Sequence, residues 1–141
     1  MTDAYSQRQL RQQFFDAWKK YKNDKVLTAL DRQVAEVISI HPEYHQLMDD
    51  PDASIDKQYL PESGETNPFL HMSLHISIRD QVTTNNPTGI TKIYNALCHK
   101  FGDQHDAEHK MIECLASFMW EVQSQNKTPD MRMYIENLRR L

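Results

Sequence analysis

Apolar residues recur at helical spacing along nearly the whole chain, and no stretch alternates apolar and polar residues as a half-buried strand would. Only three glycines punctuate it. These features direct the chain to an all-α fold, a single-domain helical bundle of five main helices plus one short helix. With 141 residues, one helical domain over 1–141 is expected. That length can bury a core without disulfides or a structural metal.

Leu10, Phe14, Ala17, Trp18 and Tyr21 form the stripe of a first helix over about 6–21. Val26, Leu30, Val34, Val37 and Ile38 mark a second over about 24–40. Pro42 blocks its continuation and suits the first turn of the short helix, about 42–48. Residues 49–66 read as a long acidic loop within the domain, a length that often marks a lid or binding loop. Asp50, Asp52 and Asp56 invite a calcium-loop reading. It fails, because no glycine stands at the sharp turn and Pro61 occupies the place of the closing Glu. Asn67 can cap, and Pro68 can open, a third helix to about Val82. After a turn at 83–88, a fourth helix covers about 89–101 and stops at Gly102. Asp103 caps a fifth that runs to about Gln125. Thr128-Pro129 then opens a closing helical segment to about Arg139, rich in Met and Leu, that can dock on its own domain or on a second subunit.

The net charge of −4 argues against a nucleic-acid binder, which would ordinarily be basic. Residues 1–25 hold six Lys or Arg against three Asp, and residues 42–66 hold seven acids against one Lys. This unevenness reads as two solvated surfaces. No apolar run approaches the length of a membrane span, and the opening residues lack the apolar core of a signal peptide. A cytoplasmic location is expected, and Cys98 and Cys114 fit a reducing compartment as small core or boundary residues. A homodimer or a protein partner stays open.

Histidine is the feature that fold alone does not explain. Of seven histidines, six stand as pairs four apart: His41/His45, His71/His75 and His105/His109. On a helix, residues four apart are stacked neighbours. His71 and His75 project between the apolar flanks of the third helix, and Arg79 continues their line. Glu108 projects near the centre of the buried arc of the fifth helix, with His105 and His109 on the same side and Glu113 at the edge. His41 falls on the apolar stripe of the second helix, whereas His99 faces solvent. A buried Glu is costly unless it is paired, protonated or metal-bound.

The pattern supports a metal site in the bundle core. The candidate ligands are His71, His75, His105, Glu108 and His109, with His41, His45 and Glu113 as second choices. Imidazole with carboxylate suits an iron, zinc or manganese ion. In an enzyme, His71, His75, His109 and Glu108 would bind the ion. Glu113 or His105 would carry a proton or add a ligand, and the 49–66 loop would cover the site. The competing reading is a non-enzymatic interaction protein. Its histidines would form a structural or pH-sensitive network, with His71 and His75 bonded to Glu108 and to Tyr or backbone groups, and Arg79 neutralising that Glu or another acid. No phosphate loop or nucleophile elbow is present.

Three blocks carry a family likeness: Asn67-Pro68-Phe69-Leu70-His71-Met72-Ser73-Leu74-His75-Ile76-Ser77-Ile78-Arg79, His41-Pro42-Glu43-Tyr44-His45, and Glu108-His109-Lys110-Met111-Ile112-Glu113-Cys114-Leu115. With the opening Phe14-Phe15-Asp16-Ala17-Trp18-Lys19-Lys20-Tyr21, they resemble an uncharacterised bacterial family, domain of unknown function 1841, over nearly the whole chain. The resemblance implies a stand-alone small protein and assigns no activity. A looser likeness, through His105-Asp106-Ala107-Glu108-His109 and the four-residue His spacing, is to hemerythrin-type bundles, which hold two irons with His and carboxylates. The chain departs from that pattern. The carboxylate near the His71 pair, Asp80, stands at a different spacing and on the solvent side.

Overall fold

The computed structural model describes residues 4–60 and 64–141. Pro61, on which the rejection of a calcium loop partly rested, and the first three residues of the opening segment lie outside the described residues. The described residues are all-α, and no helix among them is long and apolar enough to cross a membrane.

Eight α-helices and one 3-10 turn form among the described residues, in place of five main helices plus one short helix. They are α1 (Ala4–Lys22), α2 (Ala29–Ser39), the 3-10 turn Pro42–Tyr44, α3 (His45–Asp49), α4 (Pro51–Ser54), α5 (Pro68–Thr84), α6 (Ile90–Phe101), α7 (Gln104–Ser124) and α8 (Met131–Arg139). The difference arises mainly between 42 and 54. Pro42 and Pro51 each stand at the start of a helical turn, so one expected short helix becomes a 3-10 turn, α3 and α4. The acidic stretch taken as loop from 49 onward is therefore helical over Pro51–Ser54. Helices of four or five residues are too short to display an apolar repeat.

The second helix also starts later than its apolar pattern suggested. Thr28 caps it: its hydroxyl accepts from the Asp31 amide at 3.0 Å, and the Asp31 carboxylate accepts from the Thr28 amide at 3.3 Å. This reciprocal box satisfies two otherwise orphaned donors. Val26, expected inside the stripe, is 93% exposed ahead of the cap.

The chain forms two compact units, one extending to Met72 and one beginning at Ser73, so the division falls inside α5. In the first unit α1 packs on α2 and α3. Phe14, Phe15, Trp18, Val34, Val37, Ile38 and Met48 are buried. Phe69 meets Phe14 and Phe15 edge-on at 5.9 and 5.8 Å. The indole of Trp18 donates to Asp49 at 2.9 Å.

In the second unit α6 and α8 pack on α7. Ile78, Ile90, Leu97, Met111, Leu115, Tyr134 and Leu138 belong to its core. The α6–α7 junction turns at Gly102, whose φ of +73° favours a residue without Cβ and whose amide closes the helix onto Cys98 at 2.9 Å. Asp103 then caps α7 by accepting from the Asp106 amide at 3.2 Å.

Candidate metal centre

The site is organised around α5. Asn67 anchors its start, its side-chain oxygen accepting from the amides of Phe69 at 3.0 Å and Leu70 at 3.2 Å. Pro68 follows at the first helical position, where its missing N–H costs nothing. From that start His71 and His75 fall one turn apart on the same face.

Within the first unit, His41 lies at the end of α2, where the chain breaks at Pro42, and is fully buried. Its Nδ1 donates to the Val37 carbonyl at 2.7 Å. A carbonyl only accepts, so in the neutral ring this bond fixes the proton on Nδ1 and leaves the lone pair on Nε2. His71 meets the His41 ring edge-on at 5.1 Å, and Tyr44 stacks on His41 at 5.5 Å.

Within the second unit, Glu108 is the pivot. One of its oxygens, Oε1, accepts from His75 Nε2 at 2.5 Å and from Arg79 Nε at 3.0 Å. The other, Oε2, accepts from the Tyr94 hydroxyl at 2.8 Å. Burial opposes ionisation of this carboxyl. The hydrogen bonds from His75 and Tyr94 and the Arg79 guanidinium outweigh it, and hold the group at about 2, well below its ordinary 4.5. The Tyr94 hydroxyl is pushed up by burial and by that same carboxylate. With Glu108 ionised, His75 Nε2 must be the donor, and in the neutral ring the lone pair sits on Nδ1. His109 lies 5.3 Å from His75, ring to ring, and His105 lies 4.0 Å from His109.

Four histidines come together: His41, His71, His75 and His109 each offer one ring nitrogen, and these atoms all lie within 4.8 Å of one another. A cluster able to coordinate a metal ion, with a carboxylate behind one of its histidines, is thus present in the protein's core.

The structure places the other sequence candidates as follows. Glu108 lies behind His75, with both oxygens engaged by side chains. His105 is half-buried against His109 and outside the group of four. His45 donates from Nε2 to the Ile38 carbonyl at 2.8 Å and lies on the Trp18 ring at 4.6 Å. Glu113 is exposed, within 3.9 Å of Lys110. His99 is exposed. Tyr94 is the participant that sequence reasoning did not single out: a Tyr was expected in the network, but not this one and not on Glu108. It reads as an ordinary apolar residue of α6, and only its position opposite Glu108 gives its hydroxyl a role.

Neither a curated protein nor a solved structure matches this chain. The family model described as domain of unknown function (DUF1841) matches residues 6–140, and the chain belongs to that family.

Proposed function

We propose that this protein holds a transition-metal ion on imidazole nitrogens of His41, His71, His75 and His109. The observation that carries this reading is the convergence of one ring nitrogen from each within 4.8 Å. Two of the four rings are also fixed from behind, His41 by the Val37 carbonyl and His75 by Glu108. Metal-bound histidines are commonly oriented in this way: the outer hydrogen bond fixes the tautomer and makes the inner nitrogen a better donor. Imidazole without thiolate suits zinc or iron, and manganese, which prefers oxygen ligands, fits less well. Cys98 and Cys114 are free thiols, which supports a reducing, cytoplasmic setting.

A second reading is favoured by one observation. The oxygens of Glu108 are satisfied by three protein donors, as expected of a self-sufficient polar network that fixes a unique core. Under that reading the histidines are structural, and the protein works through a partner.

Thermal melting separates the two. On the metal reading, a chelator lowers the melting temperature and added zinc or ferrous ion restores it. Saturation at about 100 times Kd contributes about 2.7 kcal/mol. His71→Ala then melts at one temperature whatever the metal or chelator. On the network reading, wild-type protein is indifferent to both reagents.

A further inference from the structure

The first unit contains a buried cation with which no carboxylate of the described residues pairs. Arg11 of α1 is 6% exposed. Its Nη1 donates to the carbonyls of Ser54, Ile55 and Lys57 at 3.0, 3.0 and 2.7 Å. The guanidinium lies over the rings of Phe69 and Tyr59, at 4.9 and 5.6 Å. Among the described residues no carboxylate pairs with it, and neither Nε nor Nη2 has an acceptor. A guanidinium presents five donors. The three carbonyls share the two on Nη1, and among the described residues the three on the Nε–Nη2 side have no acceptor. A buried charge is ordinarily paired, because desolvation without a counter-charge is expensive.

Arg11 lines a cavity of about 390 Å³ together with Lys57, Gln58, Tyr59 and Asn67. The Tyr59 hydroxyl is buried and has no hydrogen-bond partner among the described residues. Lys57 carries its ammonium 5.1 Å above the Tyr59 ring. The side-chain oxygen of Asn67 is used by the start of α5, which leaves its amide N–H groups as donors. One acid also lines the cavity, Asp56, and it is paired with Arg8 at 2.6 Å.

We infer that this cavity is a binding site for a small oxyanion, a carboxylate or phosphate group of a small molecule, received by the Nε–Nη2 edge of Arg11. That edge is a planar fork whose two parallel N–H groups match two oxygens of one such group. Lys57 supplies a second positive charge, and the Tyr59 hydroxyl and the Asn67 amide supply neutral donors. The site uses none of the clustered histidines.

The test is calorimetric titration of the full chain with inorganic phosphate and, separately, with succinate, at constant ionic strength and against chloride. The expected result is saturable binding of at least one probe, and the preferred probe tells phosphate from carboxylate. Arg11→Lys keeps the charge and loses the fork, and is expected to weaken binding about tenfold. If Arg11→Lys fails to fold, as loss of its three carbonyl contacts could cause, Lys57→Gln on the exposed rim decides. It should weaken binding several-fold. Absence of saturable binding of both probes overturns the inference. So does affinity unchanged in a folded Arg11→Lys, or, where that variant does not fold, in Lys57→Gln.

Discussion

Nε2 of His75 lies 2.5 Å from Oε1 of Glu108, with both side chains almost wholly withdrawn from solvent. The pair determines which nitrogen of His75 is left to accept a proton or a metal. It also belongs to a network that ties Glu108 to Arg79 and Tyr94.

We predict that Glu108→Gln destabilises the protein by about 3 kcal/mol at pH 7, the equivalent of holding a carboxyl at about 2 against an ordinary 4.5. A depressed folded value means that this contribution is fully present above about 4.5 and is lost as pH falls towards about 2. Urea unfolding of wild type and variant should therefore diverge at pH 7, and the gap should narrow to roughly two-fifths of that value by pH 3. A constant gap across that range would show that the carboxylate is not what Arg79, Tyr94 and His75 stabilise.

Tyr94→Phe removes the donor at Oε2 and leaves a buried carboxylate oxygen without its partner. A loss of about 1–3 kcal/mol is expected. In the double variant with Glu108→Gln the two losses should sum to less than their separate values, because both residues act on one bond. Simple additivity in the denaturation midpoints would contradict the shared network.

The four-histidine group makes a prediction that sequence alone did not. His41→Ala should weaken zinc binding at least tenfold, while His45→Ala and His99→Ala leave it unchanged. His45 is held on the Ile38 carbonyl and the Trp18 ring, and His99 is exposed. Competition with a chromophoric chelator reads the affinities. Equal losses in all three variants would point to non-specific binding by histidine-rich surface.

At the other end of the chain, Thr28→Ala opens the capping box with Asp31 and should cost about 1 kcal/mol. Chemical denaturation at pH 7 measures it. A change below a few tenths of a kcal/mol would mean that α2 is held by packing alone.

How far the sequence foretold this arrangement depends on length scale. The start of α5 at Asn67-Pro68, the stop at Gly102 and the cap at Asp103 were legible because each rests on one local residue type. The position of His71 and His75 on one helical face followed from the period, as did the burial of Glu108. The pairing of Arg79 with Glu108 was weighed from charge alone and is present. Thr28-x-x-Asp31 was a readable helix start, masked by the apolar Val26 ahead of it. The short helices α3 and α4 gave no periodic signal. Which histidines share a centre depends on tertiary packing, on which a single helical wheel is silent. The wheel places His41 on the apolar stripe, but it does not show that His41 meets His71 while His45 turns to the Ile38 carbonyl, nor that Glu108 bonds His75.

The measurement that tests the central claim most directly is elemental analysis of purified, tag-free protein beside the His71→Ala/His75→Ala double variant. The account predicts close to one zinc or iron ion per chain in the wild type and none in the folded double variant. A wild type that stays metal-free after reconstitution with either ion, or a double variant that retains full metal content, would contradict it.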